Sequence, residues 1–592
     1  MGEGPEGGYS REGSSHASVY SADDPAAAAE RFREGGQGNL RRCLERRNIL
    51  MIAMSGTVGI GLFLNSSKIL ALAGSAGALI AYLVVGIIVT CVMFSLAEMV
   101  SFLPISGAIY EYPKRFVDPA LGFSVGWMYW MVYASGGATL STGAAMLSRY
   151  WEYDFGLGTV IALIIFLLLI SNILGVKIYG DLEYGVGIGK ILLTTGLIIL
   201  MLAINRGAGD KSHDPPAKIH GVEYWSKSFR FPRGFEDDKN LQNPLGQFLA
   251  IWTSITMASF AYIGIELVII TAGEARFPTR DLPKASRRMY IYALVFYVFG
   301  MLFMSLCIPY DHERLLHRGV DVYGKSKDGL RQNVPGFILA IEEAGIRYLP
   351  GFINAAFLFC AATAGMTALY ASSRTLYAIT RDSSFKPLRV FGKTDSRGVP
   401  YWAVLASWSI ALFGFLQVSG GDHNAKEIAP RILDVFSRVG TTSCLIVWGC
   451  QCLSFLRFFY GQKYQTSIVN RRNRKTYAGY RSTPQPLAAY VGLIACFTIV
   501  FFNGWEGFYM AHQRNKHGEK SNISKADIVQ ELISAYLGPF LFVSLYAGYK
   551  FIYKTRTVPL NELKYLETRP DWEEPWDDDN RPAWKRFLSW IF

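Results

Sequence analysis

The stretch Gly246 to Glu274, GQFLAIWTSITMASFAYIGIELVIITAGE, is long and apolar enough to cross a bilayer, yet it carries a carboxylate, Glu266, inside it. A spanning helix needs roughly 20 mostly apolar residues, and an ionisable group near its centre costs about 2.5–3.5 kcal/mol on insertion scales. Gly264 follows Phe260, Ala261, Tyr262 and Ile263, so the backbone can open just before the carboxylate. Opened backbone at that depth is tolerated only where it lines a cavity. Two readings stand open at this point. One is a broken helix beside a ligand cavity; the other is a glycine-containing helix whose glutamate pairs with a neighbour and has no ligand role.

The chain around this stretch has 592 residues, 51% of them hydrophobic and only 18% charged. That composition is outside the usual range of soluble globular proteins and predicts a multi-span helical membrane protein. Residues 1–38 are rich in Gly, Ser, Ala and Glu and contain no apolar core of a signal peptide, so the first span is expected to direct insertion. The formal charge is +12, but the basic residues cluster between apolar segments, as the positive-inside rule requires, and nucleic acid is not an expected partner. The eight cysteines form no CxxC pair and no metal-ligand spacing with histidine. No metal or cofactor is expected, and no nucleophile or phosphate-binding loop points to an enzyme. Cys91, Cys307, Cys360, Cys444, Cys450, Cys452 and Cys496 lie in or beside apolar segments and are expected to be small buried hydrophobes.

Taken in order, residues 1–48 form an N-terminal tail, disordered by composition through residue 39. Leu40 to Asn48 (LRRCLERRN) sets four arginines before the first span and predicts a cytoplasmic N-terminus. Twelve spans are expected, at about 49–70, 75–100, 121–148, 157–176, 185–205, 246–272, 289–309, 349–378, 401–418, 432–456, 487–506 and 533–553. This places a transmembrane domain over 49–553 and a cytoplasmic tail over 554–592. The basic connections at 274–288 and 457–486 would face the cytoplasm, and the long connections at 206–245 and 310–348 the outside.

Val58-Gly59-Ile60-Gly61-Leu62 in the first span echoes Ile263-Gly264-Ile265-Glu266-Leu267 in the sixth, and each opens a set of five spans. Gly-interrupted segments at matching places in two halves point to an inverted-repeat transporter. Ser55-Gly56-Thr57-Val58-Gly59-Ile60-Gly61 concentrates a residue that costs a helix about 1 kcal/mol relative to alanine, and so favours an unwound segment. Beyond such a break a half-helix aims free N–H groups and its positive dipole end at the cavity, suiting a carboxylate. Opened carbonyls at Phe260, Ala261 and Tyr262 would accept from an ammonium, and the two breaks together would receive a zwitterion. The alternative for the glycines is close helix packing. Lys190, in GVGIGKILLTTGLIIL, is either a buried group able to gain and lose a proton or a lysine snorkelling past Lys177 and Asp181 to the cytoplasm.

The segments MIAMSGTVGIGLFLNSS, FSLAEMVSFLPISGAIYEYPKRFVDPALGFSVGWMYW, FAYIGIELVIITAGEARFPTRDLPKA, ALYASSRTLYAITRD, QPLAAYVGLIACFTIVFFNGWEGF and AYLGPFLFVSLYAGYKFIYKT occur in colinear order over about residues 40–560. They resemble the fungal amino-acid permeases of the amino acid-polyamine-organocation superfamily. The resemblance implies an all-α membrane protein with twelve transmembrane helices in the five-plus-five inverted-repeat fold, helices 1 and 6 broken. It implies proton-coupled amino-acid uptake by alternating access at the plasma membrane, with both termini cytoplasmic. Carried over, Gly56, Thr57, Val58, Gly59, Ile60 and Gly61 would receive the substrate carboxylate, and Phe260, Ala261, Tyr262, Ile263 and Gly264 its amino group. Glu266 would brace the broken helices, and Lys190 would stand where relatives carry a lysine thought to replace a coupling sodium ion.

Departures from the family bear on the substrate. Leu140 stands where many relatives have a third-span glutamate, which argues against a broad or cationic specificity. Met366 stands where Ala-Gly-Asn is common, and Arg438 where an asparagine is common; Arg438 would attract a substrate carboxylate or snorkel to outside water. Two other functions stay open on the same fold: a non-transporting amino-acid sensor, and a carrier of polyamine- or carnitine-like ammonium compounds. The expected partners are an amino acid, the proton, the lipid bilayer and, through the tails, trafficking and ubiquitylation machinery. Residues 1–67 hold no lysine, leaving Lys564 and Lys585 as tail acceptors. Pro582 to Phe592 (PAWKRFLSWIF) suits a membrane interface, partner docking or a disordered end. Asn522-Ile523-Ser524 is a glycosylation sequon.

Overall fold

The computed structural model describes residues 40–565 apart from 41, 152–155, 211–218, 226–242, 317–323, 326–330, 382, 384, 418–424, 466–470, 472–476, 478, 518–523 and 564. The expectations for residues 1–39, Asn522, Lys564, Lys585 and the 582–592 segment lie outside the described residues.

The first expected span is two pieces, α1 (Arg46–Thr57) and α2 (Ile60–Phe63). Through Leu64, which keeps helical backbone angles, α2 runs on into α3 (Asn65–Phe102). The backbone kinks inside that helix at Gly74 (φ +75°), so the expected end at 70 and restart at 75 have no loop between them. Next come α4 (Ala108–Phe116), which hydropathy missed, α5 (Pro119–Ser148), α6 (Leu157–Ile173) and α7 (Val176–Asn205). The sixth span is again two pieces, α8 (Pro244–Ala261) and α9 (Leu267–Ile270). They are followed by α10 (Pro278–Cys307), α11 (Gly336–Glu343), α12 (Leu349–Arg381), α13 (Tyr401–Ala411), α14 (Ala425–Tyr464), α15 (Leu487–Phe502), α16 (Trp505–His517) and α17 (Lys525–Tyr553).

Among the described residues, seven helices are both long and apolar enough to cross a membrane, and Leu157–Ile173 and Tyr401–Leu416 are shorter apolar helices. One antiparallel ribbon, β1 (Gly324–Lys325) with β2 (Arg331–Gln332), interrupts the all-helical architecture. The span starting near 289 begins at Pro278, because a proline at the first helical turn is pre-set for the helix and Arg280, Lys284 and Arg287 extend it past the apolar slab. Hydropathy marks where a helix leaves the apolar phase, which is earlier than where the helix ends.

The outer helices display lipid-type surface: Leu163, Phe166 and Leu192 are exposed, as are Phe501, Phe540 and Phe551. The inner helices carry one large core that includes Trp448, Tyr82, Tyr129 and Phe63, all fully buried. Of the seven cysteines expected to be buried, six are, and Cys91 is half-buried.

One end of the bundle is fastened by a carboxylate. Glu98, at the end of α3, is fully buried and accepts from Arg471 Nε and Nη2 (2.6 and 3.0 Å), the Tyr477 hydroxyl (3.1 Å) and the Ser482 N–H (2.9 Å). The connection between α14 and α15 is thereby folded onto α3. Removing one partner of a buried pair costs about 3–5 kcal/mol, so Glu98→Ala is expected to lower the melting temperature of the detergent-solubilised protein by several degrees. An unchanged melting temperature would show that the connection is held by packing alone.

Candidate functional site

The two helix breaks meet. α1 ends at Thr57, Val58 and Gly59 leave helical geometry, and α2 resumes at Ile60; α8 ends at Ala261 and Gly264 takes φ +113°, a region L side chains rarely adopt. The crossing is backbone on backbone. A Cβ at Gly61 would fall 2.5 Å from Ala261 Cα, and one at Gly264 would fall 2.9 Å from Thr57 Oγ1 and 3.0 Å from the Gly56 carbonyl carbon. The breaking and packing readings of these glycines are therefore both realised: Gly264 opens the chain, and Gly61 admits the partner helix.

Two tyrosines tie the breaks together. The Tyr297 hydroxyl lies 2.8 Å from the Thr57 carbonyl and 2.7 Å from the Ala261 carbonyl, donating to one at a time. The Tyr82 hydroxyl donates to the Gly61 carbonyl at 3.1 Å. Neither tyrosine was singled out in the sequence, because both lie on apolar faces where aromatics are ordinary core. Glu266, on the opened segment before α9, is 1% exposed and its Oε1 accepts from the hydroxyls of Tyr133 (2.6 Å) and Tyr129 (3.3 Å), both on α5. Its Oε2 has no hydrogen-bond partner among the described residues.

Between the breaks lies an inner chamber with an empty space of about 590 Å³, its mouth included. Gly56, Thr57, Gly59, Ile60 and Gly61 line it from the first break, and Phe260 and Ile263 from the sixth. Leu140 lines it from α5, Ala364 and Ala368 from α12, and Phe436 and Gly440 from α14. Val58, Ala261, Tyr262 and Gly264 are absent from the described lining; Val58 donates its N–H to the Met54 carbonyl at 3.0 Å, and the Tyr262 hydroxyl donates to the Tyr82 carbonyl at 2.9 Å. Met366 is also absent from it and gives its carbonyl to Asn172 Nδ2 at 3.2 Å.

An outer chamber adjoins the first and shares Ile60 and Phe260 with it. Lys68, Thr253 and Arg438 are among its lining residues. Arg438 pairs with Glu531 and with Glu506 (3.3 Å), and donates to Ser534 Oγ at 3.1 Å. It thus sits in an ion-pair cluster joining α14, α16 and α17, one wall away from the inner chamber.

Lys190 is buried, at 1% exposure, so its side chain does not snorkel. Its Nζ donates to the Ser55 carbonyl on α1 (2.5 Å) and the Cys360 carbonyl on α12 (3.0 Å). One feature escaped the sequence reading: Glu183, on the same helix, is fully buried. Its Oε1 accepts from Tyr179 (2.8 Å) and Thr367 (2.9 Å), while its Oε2 has no partner among the described residues. The signal was available, since a spacing of seven puts Glu183 and Lys190 on one helix face. Tyr179 in turn stacks on Tyr370, centroids 4.7 Å apart.

Tyr370 belongs to the closure at the end of the bundle where α1 begins. Its hydroxyl donates to Glu274, which also pairs with Arg374 at 3.3 Å; all three are buried. The Arg374 guanidinium lies 4.3 Å from the Tyr370 ring centroid. Leu44, just before α1, bridges Ala275 through Leu44 N–H to Glu274 carbonyl and Arg276 N–H to Leu44 carbonyl, both 2.9 Å. The first and sixth spans are therefore clamped together at this end.

Comparison with known proteins adds three kinds of relative. The family profile described as amino acid permease matches residues 48–561. The basic amino-acid permease of Saccharomyces cerevisiae is 29% identical over 94% of this chain and 91% of its own length. The proline-specific permease of the same yeast is 31% identical over 87% of this chain and 76% of its own. The yeast SPS-sensor component SSY1 is 28% identical over 95% of this chain and 68% of its own.

Proposed function

The chain belongs to the amino acid permease family, and we propose that it is a secondary transporter taking up amino acids with protons across the plasma membrane. The observation that carries this reading is the inner chamber between two broken helices, clamped at one end by Leu44, Glu274, Tyr370 and Arg374. Both termini are read as cytoplasmic, from the arginines before α1, so the clamp is the cytoplasmic gate and the chamber holding Lys68 and Arg438 is the outer vestibule. Residues 49–553 form the transport domain, and the tails beyond it are sites for trafficking and ubiquitylation machinery.

Substrate passes Ile60 and Phe260 from the vestibule. Its carboxylate meets the first N–H groups of the half-helix beginning at Ile60, which have no partner within the helix. Its ammonium meets the Phe260 carbonyl at the sixth break, which accepts the Ile263 N–H at 3.3 Å and keeps a second lone pair. The Ala261 carbonyl accepts from Tyr297 and, like Tyr262, lies off the chamber lining. Glu266 holds the opened segment against α5 and does not bind substrate. Lys190 exchanges the coupled proton, and Glu183 on the same helix face, with one oxygen unpartnered, is the acceptor toward the cytoplasm.

Radiolabelled amino-acid uptake in a transport-deficient host tests the reading, with a protonophore control and surface quantification. Accumulation that the protonophore collapses is expected. A second reading, a non-transporting sensor, is favoured by the match to the yeast sensor component; surface protein that binds amino acids but accumulates none would establish it instead.

A further inference from the structure

Resting on the transporter reading, we infer that the substrate is an amino acid with an uncharged, apolar side chain. The relatives do not decide this, since permeases named for basic amino acids and for proline match at 29% and 31%. The chamber wall does.

Among the described residues, no Asp, Glu, Lys, Arg or His lines the inner chamber. Once the substrate's carboxylate and ammonium occupy the two breaks, the remaining wall is Val132, Leu140, Ala364, Ala368 and Phe436 with the open faces of Gly136 and Gly440. The hydroxyl protons are committed as well, which leaves these groups acceptor lone pairs but no charge to pair with a charged side chain. Ser135 donates to the Met131 carbonyl at 2.7 Å, Thr139 to the Ser135 carbonyl at 3.2 Å, and Thr57 to the Ala53 carbonyl at 2.7 Å. Tyr133, also on the wall, directs its proton to Glu266.

The charges nearest the chamber are screened from it. Glu266 lies behind the Tyr133 hydroxyl, Lys190 is bound to two carbonyls, and Arg438 and Lys68 line the vestibule beyond Ile60 and Phe260. A lysine or arginine substrate would bury its second charge without a counter-charge, and a glutamate or aspartate likewise; such desolvation is repaid only by pairing. An aliphatic or aromatic side chain gains the full burial term.

Competition for uptake of labelled leucine in cells producing the full chain tests this. Leucine, isoleucine, valine and phenylalanine are expected to compete at concentrations on the order of 100-fold lower than lysine, arginine, glutamate or aspartate. Leu140→Glu, which places a carboxylate on the wall, is expected to lower leucine uptake at least about tenfold and to admit lysine. Ala368→Phe, which fills the chamber while leaving it uncharged, is expected to exclude phenylalanine before alanine and keeps the test decisive should Leu140→Glu fail to reach the surface. Charged amino acids competing as well as leucine, or accumulating in its place, would overturn the inference and leave the transporter reading intact. Surface protein accumulating no amino acid would remove the transporter reading and this inference with it.

Discussion

Replacing Lys190 with Met is expected to abolish pH-dependent uptake, whereas Lys190→Gln is expected to restore the fold without restoring the pH dependence. The side chain satisfies two buried carbonyls, Ser55 on α1 and Cys360 on α12. Met fills a similar volume but donates to neither. The Cys360 carbonyl, inside α12, keeps the Thr363 hydroxyl at 3.1 Å, so Met strips the donor from the Ser55 carbonyl alone. A buried acceptor left unpaired costs about 1–3 kcal/mol, which shifts the population holding this α1–α7–α12 arrangement by about fivefold or more. A neutral amine has two N–H groups, which equal the two acceptors, so deprotonation removes the charge while both hydrogen bonds persist. A glutamine amide also offers two N–H groups but cannot exchange a proton in this range. Thermal stability of the purified variants reads the structural role, and uptake as a function of external pH reads the proton role. Unchanged pH dependence in Lys190→Gln would remove Lys190 from proton coupling.

The second large effect is expected at the clamp. Arg374→Ala leaves Glu274 buried, with the Tyr370 hydroxyl on its carboxylate and the Leu44 N–H on its carbonyl as its remaining ties. Losing one partner of a buried ion pair costs about 3–5 kcal/mol, equivalent to at least about a 150-fold shift away from the clamped arrangement. Ser106 and Thr375 line a pocket beside this clamp, with about 420 Å³ of empty space when its opening to solvent is included. In a background lacking other reactive cysteines, Thr375→Cys is therefore expected to react with a thiol reagent in inside-out vesicles much faster when Arg374 is Ala. Arg374→Lys keeps a charge but loses the flat contact over Tyr370, and an intermediate rate is expected. Equal rates in all three proteins would mean that Leu44, Ala275 and the surrounding packing close this end without the ion pair.

These two sites were not equally legible. Lys190 announced itself, because an ammonium inside an apolar run is expensive and must be explained. Arg374 and Glu274 did not, since each lies near the end of an apolar stretch, where a charge at the membrane boundary is ordinary. Glu183 shares a helix face with Lys190, yet it looked like one more polar residue among Lys177, Asp181 and Glu183 near a helix start. Its burial follows from α1 and α12 packing over it, through Asn48 to Asp181 and Thr367 to Glu183. Tyr297, which bridges both breaks, comes from α10 and had no local mark at all.

The sequence by itself determined that the chain is a helical bundle in a membrane and that Glu266 and Lys190 lie inside apolar stretches, and it offered a break as one of two readings for the glycines of the first and sixth spans. Those are local properties: hydropathy, the missing glycine side chain and the cost of a charge out of water. Only the tertiary structure decided what the breaks face. That Gly61 admits Ala261, that the chamber wall is uncharged among the described residues, that Arg438 is held by Glu506 and Glu531, and that Leu44 closes on Ala275 are contacts between residues far apart in the chain. Helix packing sets them, and helical periodicity says only which face is buried, not which partner buries it.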